Sequence, residues 1–311
     1  MLQYLIILLD DTATSYCHYN NPKTKKRLIS LEDLKSGILF AMKENLMIQF
    51  VYPSYEIPTE YKDAIETIDH VKIMPSDSGN ATDADVLVFN SCKEFSDKKT
   101  ASNNDKIFVL RCTDGAFPVQ LSANSNRLNI IIPDIETFTE ADFDTYKSWL
   151  SGLSLQVANL YCEENVLQIN LLTDRILLEK MNNCNAGIEN ITLAPNGSFY
   201  VCPAFYYEDE NDGIGNLKTG LDIKNQQLYR LEYAPLCRMC DAYHCKRCVW
   251  LNRKTTLEVN TPSHEQCVVS HLERNASENL LKELQQAGYF PDKEIPTIDY
   301  LDPFDLVHNK F

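Results

Sequence analysis

The feature that most constrains this chain is a run of four cysteines, made of two C-x2-C pairs separated by four residues. The run consists of Cys237, Cys240, Cys245 and Cys248. Each pair places two soft thiolates on one tight turn, which is the arrangement that a metal ion or an iron–sulfur cluster requires. Two such pairs within twelve residues seldom occur by chance, so ligand count and spacing alone predict a metal or cluster site here.

Composition limits the classes of protein to which the chain can belong. Its 311 residues are 44% apolar and 23% charged, which is typical of one large globular domain or two ordinary ones. The formal net charge of −15 gives no basic footprint, so no nucleic-acid partner is predicted. The odd number of cysteines, eleven, does not favour a framework built from disulfides alone.

The first residues predict a buried strand and not an export signal. No Lys or Arg precedes the apolar run Leu5–Leu9, which ends at Asp10 and Asp11 without a small-residue cleavage site. No later run approaches the roughly 20 apolar residues of a membrane span. We therefore expect a cytoplasmic protein without a membrane partner, in a reducing compartment where cysteines serve as ligands more often than as disulfides.

Short apolar runs alternate with helical stretches in the first half, and this alternation predicts an α/β fold with a largely parallel sheet. Ser30 is the expected cap of the first helix. The predicted strands are Tyr4–Leu9, Met47–Tyr52, Val71–Met74, Val86–Asn90, Ile107–Arg111 and Asn129–Ile132. The predicted helices are Leu31–Asn45, Thr59–Thr67 and Thr139–Leu160.

The character of the sequence changes near Cys184, where cysteines, glycines and short strands replace the alternation. Asn196 and Gly197 predict a hairpin turn, because both tolerate positive φ. We expect an α/β domain over 1–180, a cysteine-rich domain over 181–290 and a tail over 291–311. The helices predicted in the second half are Leu171–Asn182, Asp222–Leu231 and Ser270–Ala287.

Further cysteines complete a pattern around the run. Cys184, Gly197 and Cys202 give C-x12-G-x4-C, and Cys267 follows the run. Over residues 180–275 this set resembles the SPASM domain, the cysteine-rich module of many radical SAM peptide-modifying enzymes, although the last two spacings of the run are each one residue short. The resemblance implies two [4Fe–4S] clusters, one held by Cys237, Cys240, Cys245 and Cys267, and one held by Cys184, Cys202 and Cys248.

Two questions follow from that ligand assignment. The second cluster has one iron without a cysteine, which a substrate group, a water or another residue would occupy. A structural zinc site made from four of the cysteines is the alternative, because thiolates suit both metals. His244 and His264 lie beside these cysteines, and we expect them to be surface groups or to support ligands rather than to bind metal.

The loop after the first strand does not carry the motif on which radical SAM chemistry depends. That motif is C-x3-C-x2-C, and this chain has Asp10, Thr14 and Cys17 at the corresponding positions. One thiolate does not hold such a cluster, so no S-adenosylmethionine-binding cluster is expected. The first half therefore resembles a partial or degenerate (β/α) barrel. Cys17 is expected to be a free thiol, as are three cysteines predicted in the core, Cys92, Cys112 and Cys162.

Two charged groups near the N-terminus have plain interpretations. Asp10 and Asp11 are expected to end the first strand at solvent, with a paired-carboxylate site as the alternative. Residues Lys23–Arg27 are expected to form a solvated basic loop, with a peptide or partner contact as the alternative. No phosphate-binding glycine loop, metalloprotease motif or serine-hydrolase motif is present in the sequence.

A degenerate first half followed by a SPASM-like cysteine set resembles the CXXX repeat peptide maturase family, and the stretch from Met1 to Cys17 carries much of that resemblance. The resemblance implies a precursor peptide with cysteine at every fourth residue and a true radical SAM partner enzyme. We expect an accessory maturation protein. The alternatives are a zinc-stabilised binding module without a redox role, and an enzyme that uses the clusters or the region of Asp10 and Cys17.

Overall fold

A mostly parallel sheet forms the centre of the molecule, of which the computed structural model describes residues 2–97, 106–113, 115, 117–118, 126–295 and 298. The strands are β1 (Tyr4–Leu8), β2 (Met47–Val51), β3 (His70–Pro75), β4 (Val86–Phe89), β5 (Ile107–Arg111), β6 (Arg127–Ile131), β7 (Gln168–Ile169), β8 (Asn190–Leu193), β9 (Phe199–Tyr200), β10 (Gly215–Asn216) and β11 (Gly220–Leu221). The α-helices are α1 (Leu31–Glu44), α2 (Thr59–Ile65), α3 (Cys92–Asp97), α4 (Glu140–Cys162), α5 (Thr173–Leu177), α6 (Pro203–Glu208), α7 (Val249–Thr256) and α8 (His264–Gln286).

Nine strands form one sheet in the order β7-β6-β5-β4-β3-β2-β1-β8-β9. The pairings are parallel apart from that of β8 with β9. Strands β1 to β7 therefore lie side by side in chain order, which is the winding of a (β/α) barrel and not that of a doubly wound sheet. The predicted α/β layout with a largely parallel sheet is confirmed.

The segment that follows β1 crosses the carboxyl ends of three other strands. The Thr14 amide donates a hydrogen bond to the Tyr52 carbonyl just after β2 (3.0 Å), and Nε of Arg111 at the end of β5 donates to the Cys17 carbonyl (3.1 Å). His18 Nδ1 lies 3.0 Å from the Ile132 carbonyl after β6. Contacts from one short segment to the ends of β2, β5 and β6 indicate a sheet that curls like part of a barrel.

The first βα unit shows why the sequence folds as it does. In β1 the run Leu5–Leu8 is almost completely buried, as expected for a central strand covered on both faces. Ser30 caps α1 by accepting a hydrogen bond from the Asp33 amide at 3.0 Å, which confirms the predicted cap. A Cβ at Gly37 would lie 2.5 Å from Leu193 Cδ2, so glycine lets α1 lie close against β8.

The hairpin β8–β9 adds the first part of the cysteine-rich half to the same sheet. Gly197 has φ of 77°, and its amide donates to the Ala194 carbonyl at 2.9 Å, which confirms the turn predicted from Asn196 and Gly197. Strand β8 pairs in parallel with β1. Helix α6, which follows β9, contacts the loop after β1, because the Tyr206 hydroxyl donates a hydrogen bond to Asp11 Oδ1.

Two long helices, α4 and α8, pack against each other. Thr139 and Asp142 form a capping box at the start of α4. Inside the pair, the Tyr146 hydroxyl of α4 donates to Glu273 Oε1 of α8 at 2.5 Å. None of the described helices is both long and apolar enough to cross a membrane.

Three predicted helices differ from the observed ones. The helix predicted over Leu171–Asn182 is the short α5, because Leu178 is already extended. The helix predicted over Asp222–Leu231 is wrong: Asn225 is left-handed, with φ of 51°, and two 3₁₀ turns follow it, Gln226–Tyr229 and Leu231–Tyr233. Helix α8 begins at His264 and not at Ser270. Most of the predicted tail, 296–297 and 299–311, lies outside the described residues.

Candidate functional site

Four thiols line one small cavity between the cysteine run and α8, and we call Cys237, Cys240, Cys245 and Cys267 the local group. Three of them belong to one loop, and Cys267 lies in the first turn of α8. Apolar side chains and three polar ones complete the wall: Met181, Leu236, Ala242, Pro262, Gln266, Ser270 and His271. The structure thus brings together the four thiols that the resemblance assigns to one cluster.

Backbone amides point at the sulfur atoms of the local group. The Ala242 amide donates to Cys240 Sγ, and the Arg247 amide donates to Cys245 Sγ, each at 3.4 Å. In both cases the donor lies two residues after the cysteine. Hydrogen bonds to sulfur stabilise a thiolate and tune the reduction potential of a cluster that it binds.

Burial favours the protonated form of two thiols of the local group, Cys237 and Cys245. It raises the pKa of Cys237 to about 12, with the Cys245 thiol as the second cause and Arg247 opposing the shift. Burial also raises the pKa of Cys245, against hydrogen bonds from Ser270 and from the Arg247 amide. Metal binding at this group therefore has to displace protons.

A second set of thiols comes from four separate segments, and we call Cys17, Cys184, Cys202 and Cys248 the dispersed group. Burial is the main cause that raises the pKa of Cys17 to about 12, and it also raises the pKa of Cys202 and of Cys248. The Cys184 thiol is the second cause for all three. Every pairing among the four thiols interacts electrostatically in this way.

Local structure explains how three of these thiols meet. Cys202 and Cys248 occupy the N-cap positions of α6 and α7. Amides of the first turns donate to both sulfur atoms and partly offset the rise in their pKa. The exposed Cys184 belongs to a segment that lies along the cysteine run, since its amide donates to the Lys246 carbonyl at 3.4 Å.

Cys17 is a half-buried free thiol, as predicted, and its main chain is held by other parts of the fold. Arg111 holds its segment, donating from Nε to the Cys17 carbonyl at 3.1 Å and from Nη2 to the Tyr19 carbonyl at 2.8 Å. The Tyr19 ring stacks on Tyr207 of α6, with centroids 5.5 Å apart. The segment after β1 is thus fixed between the sheet and the helix that Cys202 caps.

The other three cysteines expected in the core behave differently from one another. Cys92 and Cys112 are buried, with their sulfur atoms 3.5 Å apart, as a core location requires. Cys162 is exposed at the last residue of α4, so the prediction of a core position was wrong for it. The predicted helix ends at Leu160, two residues before Cys162, so its periodicity does not assign Cys162 to a helix face.

Arg247 lies between the two thiol groups. Its side chain is 1% exposed, and Nε and Nη1 have no hydrogen-bond partner among the described residues, whereas Nη2 donates to the Tyr229 carbonyl. Burial lowers the pKa of Arg247, and the thiols of Cys237, Cys184 and Cys245 oppose this shift, which shows that the cation is near both groups. A buried cation without a partner is costly unless an anion lies beside it.

The loop after β1 corrects two expectations. Asp10 and Asp11 are 0% and 7% exposed, so they do not end the strand at solvent. Asp10 Oδ1 accepts a hydrogen bond from the Thr12 amide at 2.8 Å, and Asp11 Oδ2 lies 2.8 Å from Arg27 Nε. Arg27 also pairs with Glu210 at 2.9 Å, so the basic stretch is partly engaged and not simply solvated.

A cavity of about 50 Å³ separates the cysteine run from the carboxyl end of β6. His18, His244 and Glu273 line it together with Cys245 and Cys248. His244 Nε2 lies 3.0 Å from Glu273 Oε2, and burial lowers the pKa of His18. The cavity has room for a few water molecules only, so it is a polar part of the core and too small for a peptide. His264 lies elsewhere, with Nδ1 3.8 Å from Glu265.

The donor chemistry fits an iron–sulfur cluster at each group. Both groups offer four thiols and amides directed at sulfur, and the buried cation of Arg247 lies between them. A cluster with four thiolates is negatively charged, so it would supply the anionic partner that Arg247 lacks among the described residues. As the side chains stand, no group of three or more His, Cys, Asp or Glu among the described residues is arranged to hold a single metal ion. Sequence reasoning missed Cys17, Arg247 and His271, whose Nε2 lies 3.8 Å from Cys240 Sγ.

Comparisons with known proteins agree with the architecture. No family model matches the sequence, and no curated protein matches it. Four chains of solved structures match it. One of them, described as native anSMEcpe with bound AdoMet and Cp18Cys peptide, aligns with a TM-score of 0.56 and 12% identity, covering 92% of this chain and 100% of that chain. This similarity shows that the mixed α/β architecture of this chain is shared with that structure.

Proposed function

We propose that this chain is a cytoplasmic accessory protein in the maturation of a ribosomally made cysteine-repeat peptide. In this proposal it holds up to two [4Fe–4S] clusters and acts with a radical SAM partner enzyme. The observation that carries the proposal is that the structure sorts eight of the eleven cysteines into two groups of four thiols. A zinc-stabilised fold needs one such group, whereas two groups on either side of a buried cation suit a pair of clusters.

The chain's own residues supply the environment that such clusters require. When bound, the clusters would provide one-electron chemistry. Arg247 would balance part of their negative charge, because it is buried and two of its guanidinium nitrogens lack a partner among the described residues. The amides of Ala242 and Arg247 would stabilise the thiolates of the local group. Burial of Cys237 would keep water from that site.

Two observations support the peptide and the partner enzyme in this proposal. A solved structure of similar fold is described with bound AdoMet and a Cp18Cys peptide, which supports a peptide as the molecule recognised. In this chain Asp10 and Thr14 stand where a radical SAM motif has its first two cysteines, and both are buried. A chain without that motif needs a separate enzyme to generate a radical.

The test is to measure iron, acid-labile sulfide and zinc in protein purified without oxygen. We expect about eight iron atoms and eight sulfides per chain if both groups hold a [4Fe–4S] cluster, with absorbance near 400 nm. The matched control is Cys162→Ala, which removes an exposed thiol outside both groups and should leave these values unchanged. Zinc without sulfide would contradict the cluster-binding part of the proposal.

The peptide and partner are tested separately from the metal. A synthetic peptide with cysteine at every fourth residue should bind the cluster-loaded protein, and a version with serine in place of each cysteine is the control. A purified radical SAM enzyme that modifies such a peptide should do so faster when this chain is present. Equal rates with and without this chain would contradict the accessory role.

One observation favours the alternative of a zinc-stabilised binding module. His271 Nε2 lies 3.8 Å from Cys240 Sγ, and Cys267 lies one turn earlier on the same helix. Cysteine and histidine side chains in this arrangement are typical zinc ligands. The metal analysis distinguishes the two functions, since a zinc module contains about one zinc ion per chain and no sulfide.

A further inference from the structure

We propose that Cys17 is the fourth thiolate ligand of the cluster bound by Cys184, Cys202 and Cys248. This inference rests on the proposed cluster-binding function and makes it more specific. It assigns a role to the cysteine that remains at the degenerate radical SAM position, and it identifies the residue that completes the second cluster.

Packing brings the Cys17 segment to this site independently of any charge. On one side of Cys17, His18 lines the same cavity as Cys245, Arg247 and Cys248. Two residues after Cys17, the Tyr19 ring stacks on Tyr207, which belongs to the helix that begins at Cys202. The segment therefore packs against α6 and shares a small cavity with Cys248, which precedes α7.

The main-chain path of the segment is fixed by the sheet. Arg111 is 4% exposed and sits at the last residue of β5. Its guanidinium donates to the Cys17 and Tyr19 carbonyls and to Asn20 Oδ1, the last at 2.7 Å. A buried side chain that binds three acceptors in four consecutive residues leaves the Cys17 backbone little freedom, so its thiol is held in place before any cluster binds.

Electrostatic contacts complete the assignment. The thiols of Cys184, Cys202 and Cys248 each interact with Cys17, and Tyr16 beside it interacts with Cys17, Cys202 and Cys184. Each of the four thiols therefore lies within electrostatic range of the other three. The local group already has four thiols of its own, Cys92 and Cys112 are buried with their sulfur atoms 3.5 Å apart, and Cys162 is exposed at the end of α4.

A consequence follows for the function of this cluster. With Cys17 bound, all four irons carry a protein thiolate, so no iron is open to a peptide thiol or to another added ligand. The dispersed site then holds a closed cluster, and substrate coordination at its fourth iron is excluded by the chain itself.

The test uses Cys17→Ala and Cys17→Ser in oxygen-free protein, with Cys162→Ala as the control. In Cys17→Ala we expect either loss of about half of the iron and sulfide, or a retained cluster whose EPR spectrum changes when cyanide is added. Wild-type protein and Cys162→Ala should keep full iron and should not respond to cyanide. Cys17→Ser keeps the size of the side chain and should retain a cluster with a shifted EPR spectrum, so it decides the matter if the alanine variant does not fold.

The outcomes separate this inference from the function on which it rests. Wild-type protein without iron and sulfide overturns both. Wild-type protein with two clusters, combined with Cys17 variants whose iron content, EPR spectrum and response to cyanide equal those of wild type, overturns the role of Cys17 alone.

Discussion

The local and the dispersed groups use the same chemistry but hold together different amounts of the chain. The local group comes from residues 237–267, so it depends on one loop and one helix turn. The dispersed group joins Cys17, in the loop after β1, to thiols at the starts of α6 and α7 and beside the cysteine run. The thiols of the first group are close in sequence, whereas those of the second come from both halves of the fold.

This difference has a consequence for assembly. A loop as short as that of the local group closes at small entropic cost, and each doubling of loop length adds only about 0.6 kcal/mol. The thiols of the dispersed group meet only after four elements have folded into place: β1, β5, α6 and α7. We therefore expect the local group to bind its cluster first and the dispersed group to report on completion of the fold.

The largest expected effect separates Cys248 from the other three cysteines of the run. Cys240→Ala should abolish the local cluster, and Cys248→Ala should abolish the dispersed one, each with loss of about half of the iron. Adjacent spacing would assign both residues to one site. The two variants should therefore leave different residual EPR spectra, and the spectrum that remains in Cys248→Ala should be the one that is missing from Cys240→Ala.

Identical residual spectra in those two variants would contradict the division into two groups. The control is Cys162→Ala, because that thiol is exposed at the end of α4. Its iron content and spectrum should match wild type.

How far the sequence predicts the fold follows from the range of the contacts involved. Strand β5 was predicted to the residue and α1 to within one residue, because burial and capping are local properties of the chain. The start of α8 was missed, although Ser263 accepts a hydrogen bond from the Gln266 amide and the two residues have capping-box spacing. With the helix started at Ser270, Cys267 and His271 could not be placed on one helix face.

The two thiol groups show the same limit at the site. Spacing along the chain alone predicts that Cys237, Cys240 and Cys245 lie together, and the structure places them in one cavity. Nothing in the spacing connects Cys17 to Cys184, because their proximity depends on how β1, β8 and the loop after β1 are arranged in space. Arg247 was missed for a related reason, since burial between two sites is a property of the packed structure.

The second largest effect is the pH dependence of the metal-free protein. Burial raises the pKa of Cys17 and of Cys237 to about 12, whereas thiols in an unfolded chain ionise near 8.5. The folded state binds its protons more tightly, so the stability that this provides is complete below about pH 8.5 and is lost as pH rises towards 12. The urea midpoint of metal-free protein should fall over this interval.

Variants and metal loading check which groups cause that fall. Cys17→Ser and Cys237→Ser should each make it shallower, and Cys162→Ser should not. The urea midpoint of cluster-loaded protein should fall less over this pH interval, because its thiolates are already ionised. A midpoint of metal-free wild type that stays constant between pH 9 and 12 would contradict the assignment of buried neutral thiols to both groups.

A change at Arg111 should affect the dispersed group alone. Arg111→Met removes the donors that hold the Cys17 segment, and loss of such charged hydrogen bonds costs about 1–3 kcal/mol. We expect a partial loss of the dispersed cluster, with the EPR signal of the local cluster unchanged. Arg127→Met is the matched control, because Arg127 is the first residue of β6 and binds Asp174 at 2.5 Å. It therefore lies at the amino ends of the strands, whereas Arg111 lies at a carboxyl end. Equal iron loss in both variants would point to general destabilisation.

Arg247 should influence both groups, but only modestly. Arg247→Met removes a positive charge near reduced clusters, so both reduction potentials should become more negative, on the order of tens of millivolts. In metal-free protein the same change removes a buried cation with two unpartnered nitrogens, so the free energy of unfolding should stay equal or rise by about 1 kcal/mol. Redox titrations followed by EPR and urea unfolding measure the two effects. A shift at one group only would show that Arg247 does not lie between them in the loaded protein.

The smallest expected effect concerns His271, which distinguishes the local group as a cluster site from the same group as a zinc site. His271 Nε2 lies 3.8 Å from Cys240 Sγ, at a distance from which it influences the thiolate without replacing it as a ligand. His271→Ala should therefore leave iron and sulfide content unchanged and shift the potential of the local cluster slightly, while the dispersed cluster stays as it is. His264→Ala is the control on the same helix, since that side chain lies beside Glu265. Metal analysis and an EPR-monitored titration measure the result. A zinc site that used His271 as its fourth ligand would instead lose much of its metal affinity on the same substitution. A large loss of metal in His271→Ala alone would therefore assign the local group to zinc and leave the dispersed group as the only cluster site.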